Sequence, residues 1–293
     1  MNKNWYYSHN DRKRRVINYY GRIGSYIYYR PIAFIGKLIG MIFSLMPIQL
    51  SATVKENIKI NIKMPMSYDI RVVVDRSRDI KRAKFCYKEK STVLWIEKYY
   101  QKGDVIFDVG ANIGAVSLIS AAHLEKDCLI YAFEPLPTTF GMLFKNIMTN
   151  NYDEVIIPLN IALSDNVAIN QFNLTSIESG SSGHSIDNME ISRNFNKKSL
   201  TVLTQTLDSV ISTYHINLAN HIKIDVDGVD YEVLLGGEKR ILNSPTLKTI
   251  LIEKNGKQDK IRSLVKKYGF VEVELTGNKG KYENIGFIRN GVS

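Results

Sequence analysis

Residues 103–135 decide the fold, and they read GDVIFDVGANIGAVSLISAAHLEKDCLIYAFEP. An apolar run at residues 105–109 leads into a glycine turn at residues 110–114, and a helical pattern of small residues follows. A second apolar run then ends on the acid Glu134. The order strand, glycine turn, helix and strand predicts the opening of an open α/β sheet.

The glycine turn and the acid after it predict a nucleoside-bearing cofactor. Gly110 permits a sharp turn out of the strand, and Gly114 lets the helix start pack closely against the sheet or a ligand. Glu134, about 20 residues beyond the turn, is placed to accept hydrogen bonds from two ribose hydroxyls. Asn112 and Ala115 break the dinucleotide pattern GxGxxG, which disfavours a pyrophosphate. S-adenosylmethionine, which has a ribose and no pyrophosphate, fits better; the alternative is a turn whose glycines serve packing alone.

Composition indicates a folded protein with an uneven charge. The chain has 293 residues, of which 44% are hydrophobic and 23% charged, which is ordinary for a globular protein. Residues 1–90 hold 19 Lys and Arg against 6 Asp and Glu, whereas residues 91–293 hold 20 against 23. The basic part could contact lipid headgroups or nucleic acid, or could simply be solvated. Cys86 and Cys128 lack the spacing of a disulfide framework or zinc site, which favours a cytoplasmic protein.

The N-terminal part contains an apolar segment, residues 31–48, with Lys37 as its only charge. Its length is at the lower limit for spanning a bilayer, and no signal-peptide pattern surrounds it. We consider three placements: on a membrane surface, buried as an accessory helix, or spanning the membrane. Residues 1–50 are therefore predicted to be a basic, amphipathic or membrane-surface extension.

The rest of the chain divides into a small cap and a large domain. Alternating apolar residues predict short antiparallel strands, and hence a small β cap, over residues 51–90. Residues 91–293 contain the helices and strands of the main domain, including a strand at residues 155–163 and helices at residues 207–214 and 231–242. The polar residues 167–203 are interpreted as a β-hairpin and loop over the site.

Six sequence blocks in order resemble the FkbM family of S-adenosylmethionine-dependent O-methyltransferases. The blocks are FDVGANIG at residues 107–114, AFEPLP at 132–137, ALSD at 162–165, TLDSVI at 206–211, IKIDVDG at 222–228 and the strand-end Glu253. The resemblance covers roughly residues 91–290 and implies a Rossmann-like class I methyltransferase fold. That fold has about seven strands, the last of them antiparallel, with helices on both faces. Asp227 stands where the family usually has Glu.

The resemblance also assigns residues to the cofactor. Glu134 is carried over to the ribose, and Ser164 and Asp165 are placed at the adenine. The residues carried over to the methionine part are Asp108, Gly110, Asn112 and Gly114. Asp108 has a competing structural role, because its carboxylate could bind the amides of the glycine turn.

Methyl transfer to an alcohol needs a group that removes the hydroxyl proton. In an open α/β sheet the active cleft lies beyond the carboxyl ends of the strands, where Asp225, Asp227 and Glu253 are expected. Lys223 and Asp225 would share a face of the sheet. We predict Asp225 or Asp227 as the base, with Lys223 setting the local charge; the alternative is an ion pair that closes a strand end.

Other chemistry at this end has weaker signals. Asp225 and Asp227 could hold a divalent cation, but two carboxylates alone do not identify a metal site. His184 is an alternative base, and His221, which opens a strand, is interpreted as structural.

The predicted function is methylation of a hydroxyl on a sugar, glycolipid or secondary metabolite. The alternatives are an NAD-dependent oxidoreductase and a non-catalytic binding module of the same fold, tethered to a membrane by residues 1–50. Nucleic acid is ranked low as a partner because no base-flipping signature is present. The sequence names neither the acceptor nor the oligomeric state.

Overall fold

The chain forms two compact units, Met1–Lys59 and Ile60–Ser293. The structure, a computed structural model, describes residues 33–173, 185–187, 199–226, 228–254, 256–277 and 284–291.

In the part of the first unit that the structure describes, residues 33–59, there are two helices, α1 at residues 33–44 and α2 at Ile48–Asn57. The large apolar side chains of α1 are exposed, and they recur at the three- and four-residue spacing that places them on one helix face. They are Phe34, Ile35, Leu38, Ile39, Met41 and Ile42. Among the helices that the structure describes, none combines the length and apolar character needed to cross a membrane.

The second unit is built from strands and helices that largely alternate along the chain. In chain order the strands are β1 (Asn61–Lys63), β2 (Arg71–Val73), β3 (Asp104–Val109), β4 (Cys128–Phe133), β5 (Ile156–Leu159), β6 (Ala162–Leu163), β7 (Ala168–Asn173), β8 (Ser185–Asp187), β9 (Ser199–Gln205), β10 (His221–Ile224), β11 (Thr249–Glu253), β12 (Phe270–Val273) and β13 (Asn284–Arg289). The helices are α3 (Ser77–Arg82), α4 (Phe85–Lys88), α5 (Lys90–Tyr99), α6 (Ala115–His123), α7 (Pro137–Thr149), α8 (Leu207–Tyr214), α9 (Asp230–Leu235) and α10 (Gln258–Lys267).

The central sheet has seven strands in the order β12-β13-β11-β10-β3-β4-β5. The five strands from β11 to β5 pair in parallel, and β13 lies antiparallel between β11 and β12. Successive side chains of a strand point to opposite faces, so Ile106 and Phe107 of β3 enter different hydrophobic cores. One core includes residues of α5, α6 and α7, and the other includes residues of α8, α9 and α10. The predicted class I methyltransferase fold is confirmed by this strand order and by the two covered faces.

The parallel pairing gathers the functional candidates at one edge of the sheet. β10 lies between β3 and β11, and Lys223 of β10 is in register with Asp108 of β3 and Leu251 of β11. The glycine turn follows β3, and Glu134 follows β4. The carboxyl ends of β3, β4, β10 and β11 therefore meet where the sequence places the active cleft.

The strand predicted over residues 155–163 is divided between two sheets. β5 belongs to the central sheet, whereas β6 pairs with β9 in a four-stranded sheet of order β6-β9-β7-β8. The chain turns at Asn160, whose amide Nδ2 donates to the carbonyl oxygens of Glu134 at 2.8 Å and Pro135 at 3.0 Å. The two ends of the predicted hairpin segment, β7 and β9, pair antiparallel, and β8 pairs with the other edge of β7. The loop predicted within residues 167–203 lies largely outside the described residues. The apolar pattern of residues 155–163 did not reveal the turn at Asn160, because the residues on both sides of Asn160 are apolar.

The helix predicted over residues 231–242 is also divided. α9 ends before Gly236, and a π-helical turn, Glu238–Leu242, follows. A Cβ at Gly236 would come within 2.1 Å of the carbonyl oxygen of Ser164, so close approach of two backbones requires glycine there.

Residues 51–90 are more helical than the predicted β cap. Only two three-residue strands, β1 and β2, form in this segment, while α2, α3 and α4 cover much of the remainder. Val54 and Ile58 are four residues apart, a spacing that suits a helix as well as the end of an alternating run. The Asp79 carboxylate accepts hydrogen bonds from the amides of Asp75 and Arg76 at 3.0 and 2.8 Å, which stabilises the start of α3. The domain limits at residues 50 and 90 remain predictions.

Candidate functional site

The turn between β3 and α6 depends on backbone conformations with positive φ. Gly110 and Gly114 have φ values of 78° and 91°, and Asn112 has 53°. A Cβ at Gly110 would lie 2.1 Å from the carbonyl oxygen of Asp225, and one at Gly114 would lie 2.6 Å from Leu143 Cδ1. The two glycines therefore bring the turn close to β10 and α7.

Glu134 lies against this turn, as the sequence predicts. Its Oε2 accepts a hydrogen bond from the backbone amide of Asn112 at 2.9 Å, and its Oε1 accepts one from the amide of Leu136 at 2.9 Å. Burial raises the pKa of Glu134 to about 7, although the two amide hydrogen bonds act in the opposite direction. The carboxylate is thus rigidly held at the mouth of the turn, and its role on a ribose remains a prediction.

Asp108 bonds a helix instead of the glycine turn. Its Oδ2 accepts from the amide and the hydroxyl of Ser117, at 3.1 and 2.6 Å, so it stabilises the first turn of α6. Its Oδ1 is buried and has no hydrogen-bond partner among the described residues. Burial raises the pKa of Asp108, while the charge of Lys223 on the neighbouring strand opposes the rise. The alternative role predicted for Asp108, bonding the amides of the turn, is corrected to bonding α6.

A buried group of charges lies beyond β10. Lys223 Nζ donates to Asp225 Oδ2 at 2.7 Å, and the Lys223 side chain is 3% exposed. Burial acts to lower the pKa of Lys223, but the charges of Asp225, Asp108 and Glu89 outweigh it and raise that pKa. Lys223 is therefore a permanent cation that balances several carboxylates.

Asp225 and Glu253 form a hydrogen-bonded pair of carboxyl groups. Burial opposes ionisation of Asp225, but Lys223 and the hydrogen bond from Glu253 hold its pKa below the usual value. Burial and the neighbouring Asp225 charge raise the pKa of Glu253 to about 8. The Lys223 charge therefore favours the ionised form of Asp225, whereas burial and the Asp225 charge favour the protonated form of Glu253.

A pocket opens between the glycine turn and this charged group. From the turn and β4 it is lined by Gly110, Ala111, Asn112, Glu134 and Pro135, and from β10 by Lys223 and Asp225. Ile161 and the two residues of β6, Ala162 and Leu163, line it from the edge of the second sheet. Arg82, Phe85 and Glu89, which the sequence did not single out, line it from the segment before the glycine turn. No local signal marks Glu89, because its charged neighbours Lys223 and Asp225 are distant in sequence.

The lining fits a nucleoside cofactor without a pyrophosphate. The Glu134 carboxylate lies beside the turn, apolar side chains such as Ile161 and Leu163 form part of the wall, and Asn112 stands where a pyrophosphate would need bare backbone. Ser164 and Asp165 follow this wall, with Ser164 Oγ donating to Asp165 Oδ1 at 3.2 Å, but they are not lining residues. Their role at an adenine remains a prediction.

Three other candidates have different outcomes. Asp227 and His184 lie outside the described residues. His221 is buried at the opposite end of β10, where its Nε2 contacts Asp104 Oδ2 and its Nδ1 contacts Thr249 Oγ1, each at 2.8 Å. Across the described residues, no group of three or more His, Cys, Asp or Glu side chains could hold a metal ion.

Residues 108–272 match the family described as the Methyltransferase FkbM domain. The chain belongs to this family. The matched residues of the FkbM domain begin at Asp108 in β3 and end at Glu272 in β12. The lining residues Arg82, Phe85 and Glu89 precede the match.

Two relatives resemble the chain over part of their length. Hexuronic acid methyltransferase AglP of Haloferax volcanii is 27% identical over 169 residues, which covers 58% of this chain and 64% of that protein. The 31-O-demethyl-FK506 methyltransferase FkbM of Streptomyces tacrolimicus is 40% identical over 72 residues, which covers 22% of this chain and 25% of that protein.

Solved structures with a related arrangement include the methyltransferase FkbM from Methylobacillus flagellatus, at 11% identity and a TM-score of 0.48. The aligned region covers 64% of this chain and 44% of the Methylobacillus chain. TYW2 from M. jannaschii, solved in complex with AdoMet, has 12% identity and a TM-score of 0.42, covering 79% of this chain and 86% of that chain.

Proposed function

We propose that this chain is an S-adenosylmethionine-dependent O-methyltransferase. One observation carries the proposal: the Glu134 carboxylate is held against the glycine turn, in the wall of a pocket that also contains Lys223 and Asp225. The groups proposed to bind the nucleoside, Glu134 and the glycine turn, thus line the same pocket as the charged pair Lys223 and Asp225, beside which the acceptor would lose its proton.

The cofactor would supply a methyl group on a positively charged sulfur, and the chain would supply position and charge. Glu134 would bind the ribose hydroxyls, and the turn from Gly110 to Gly114 would hold the methionine part, together with Asp108 acting through α6. The Lys223–Asp225 pair would fix the electrostatic potential of the acceptor side. Ser164 and Asp165 keep their predicted place at the adenine.

The acceptor that we propose is a hydroxyl of a sugar or a sugar-bearing molecule. The Haloferax relative is a hexuronic acid methyltransferase, and the Streptomyces relative is a 31-O-demethyl-FK506 methyltransferase. The acidic half of the pocket supports an alcohol acceptor, since an alcohol must lose a proton on methylation.

Isothermal titration of the full chain with S-adenosylmethionine, and separately with NADH, tests the proposal. We expect binding of the former only. Glu134→Gln removes the charge that strengthens hydrogen bonds to a ribose. The Kd of this variant for S-adenosylmethionine should therefore be about 10- to 100-fold higher than that of the wild type. The control is Glu154→Gln, an exposed acid, which should leave Kd unchanged.

Two results would contradict the proposal. Binding of NADH with no binding of S-adenosylmethionine would favour the oxidoreductase. Tight donor binding without methyl transfer to glucuronic acid, galacturonic acid or their glycosides would favour a binding module or a different acceptor.

We further propose that the first unit contacts an anionic membrane surface. The exposed apolar face of α1 would enter the interface, and Lys37, Lys55 and Lys59 would lie near acidic headgroups. With the basic excess of residues 1–90, this supports a cytoplasmic protein that is peripheral at the membrane.

Flotation of the full chain with phosphatidylserine-containing vesicles tests the membrane proposal, with phosphatidylcholine vesicles as the neutral comparison. The double variant Leu38→Glu and Ile42→Glu should lose flotation, whereas Val167→Glu, at an exposed apolar position of the second unit, should keep it. Equal recovery of all three proteins in the floating fraction would refute the role of α1.

A further inference from the structure

The acceptor side of the pocket contains an acid from outside the matched family domain. Glu89 immediately precedes α5 and lines the pocket together with Arg82 and Phe85, in the same cavity as Lys223 and Asp225. The first turn of α5 thus places a carboxyl group beside the charged end of β10.

One hydrogen bond from α5 holds the Glu89 side chain, and its donor is in turn bound by β13. Glu89 Oε2 lies 3.4 Å from the hydroxyl of Thr92, one turn along α5. Thr92 is fully buried and accepts a hydrogen bond from Asn284 Nδ2 of β13 at 2.9 Å. Asn284 is in register with Glu253 of β11, so Thr92 connects Glu89 to the central sheet.

The neighbouring carboxyl groups are already engaged. Asp225 is bound to Lys223 at 2.7 Å and to Glu253, while Asp108 is bound to Ser117. Glu89 is held by the longer contact from Thr92, and it lines the open pocket. Of these groups, Glu89 is the carboxyl best placed to exchange a proton with a molecule in the pocket.

We propose that Glu89 is the catalytic base that receives the proton of the acceptor hydroxyl, an assignment that rests on the proposed methyl transfer. The acceptor oxygen forms a bond to the methyl carbon as the carbon–sulfur bond breaks and its electron pair moves to sulfur. The hydroxyl proton passes to the Glu89 carboxylate and then to water. The products are a methyl ether, S-adenosylhomocysteine and one proton.

The charges that face Glu89 agree with this role. Burial raises the pKa of Glu89 to about 7, with Lys223 and Arg82 acting against the rise and Asp225 adding to it. Glu253 carries a proton near neutral pH, and Lys88 and Lys90 flank Glu89 in the chain. A base whose pKa lies near the working pH transfers protons most effectively, whereas the low pKa of Asp225 makes it a weak base.

The test compares Glu89→Gln with wild type in the full chain. With tritiated S-adenosylmethionine and methyl β-glucuronide, galacturonide and glucoside as acceptors, we expect kcat to fall about 10²- to 10⁴-fold while the Kd of the cofactor stays within about twofold. Wild-type kcat should fall as pH drops below about 7, because the base becomes protonated, and this limb should vanish in the variant. The matched control is Glu97→Gln, an exposed acid on α5, which should behave as wild type.

A second measurement does not depend on the acceptor. In protein labelled with carboxyl-¹³C glutamate, the resonance missing from Glu89→Gln should titrate near pH 7 in wild type. Titration near the ordinary value of 4.5 would overturn the assignment. A Glu89→Gln enzyme with wild-type kcat would also overturn the assignment. If that variant keeps the acidic limb of the kcat–pH profile and Asp225→Asn loses it, the base is Asp225. A wild-type protein that fails to bind S-adenosylmethionine would instead overturn the proposed function.

Discussion

Gly110 links the two halves of the pocket at the residue scale. It has a φ of 78°, and its α-carbon faces the carbonyl oxygen of Asp225 so closely that a Cβ would lie 2.1 Å from that atom. The cofactor turn and the charged end of β10 are therefore in direct backbone contact, and a side chain at this position would displace both.

We expect Gly110→Ala to lower the free energy of unfolding by at least about 2 kcal/mol, from left-handed backbone strain and the clash together. Cofactor affinity should fall as well. Gly141→Ala is the matched control, because Gly141 lies in α7 with open space around its α-carbon, and it should be neutral or stabilising by up to about 1 kcal/mol. Urea unfolding measures both changes, and equal midpoints for the two variants would contradict the prediction.

The burial of Glu134 predicts a pH dependence of cofactor binding. Its pKa is raised to about 7, and in the proposed complex the ribose hydroxyls would donate hydrogen bonds to the ionised carboxylate. Protonation therefore competes with binding, so the Kd of S-adenosylmethionine should rise as pH falls below about 7, approaching tenfold per unit. Titration calorimetry between pH 5.5 and 8.5 checks this, and a Kd that is constant over that range would contradict it.

At the same scale, the sequence located part of the site. The glycines and Glu134 were predictable because the turn and the strand end are local patterns, and the Lys223–Asp225 contact followed from alternation along a strand. Glu89 was not predictable, because its place beside Lys223 depends on how α5 packs on the sheet. The partner of Asp108 was also missed, since a carboxylate after a strand can reach either the turn or the following helix.

At the scale of elements, a buried polar network joins β3, β10 and β11 at the end opposite the pocket. Asp104 contacts His221 Nε2 at 2.8 Å and Lys248 Nζ at 2.7 Å, and His221 stacks on Tyr100 with ring centroids 4.3 Å apart. Burial lowers the pKa of His221, so the imidazole is neutral near pH 7. The structural interpretation of His221 is consistent with these contacts.

Removal of the Asp104 carboxylate should therefore destabilise the sheet. We expect Asp104→Ala to reduce the free energy of unfolding by about 3 kcal/mol, because it leaves a buried imidazole and an ammonium group without their partner. Asp153→Ala, at an exposed turn, should change it by less than about 0.5 kcal/mol. Urea unfolding of both variants measures these changes. If Asp104→Ala loses no more free energy of unfolding than Asp153→Ala, the prediction is wrong.

Helices and strands were predictable from the sequence where the apolar residues kept a single regular spacing over the whole segment. The helix predicted at residues 207–214 forms as Leu207–Tyr214, because its Thr206 cap and apolar spacing agree. Sequence patterns failed where tertiary contacts overrode them: at Asn160, which turns the chain between two sheets, and at Gly236, where Ser164 approaches. In residues 51–90, short segments satisfied helical and strand spacings equally well.

At the scale of the whole molecule, cofactor binding should stabilise the folded second unit. A ligand that binds only the native state at 100 times its Kd adds about 2.7 kcal/mol to the free energy of unfolding. We expect S-adenosylhomocysteine at that excess to raise the urea midpoint of the full chain. Because the Kd of Glu134→Gln is expected to be about 10- to 100-fold higher, the same concentration should add only about 0.4 to 1.4 kcal/mol to that variant. NADH should have no effect on either protein. If S-adenosylhomocysteine leaves the urea midpoint of the wild-type protein unchanged, the proposal that the pocket binds this nucleoside is wrong.

The two amide hydrogen bonds of Glu134 also limit which nucleosides the pocket accepts. A carboxylate offers about four lone-pair positions, and the backbone of Asn112 and Leu136 occupies two of them. The remaining two match the vicinal diol of a ribose. If Glu134 binds the ribose as proposed, a 2-deoxyribose would leave one position desolvated and empty, so we expect the pocket to prefer ribonucleosides to deoxyribonucleosides.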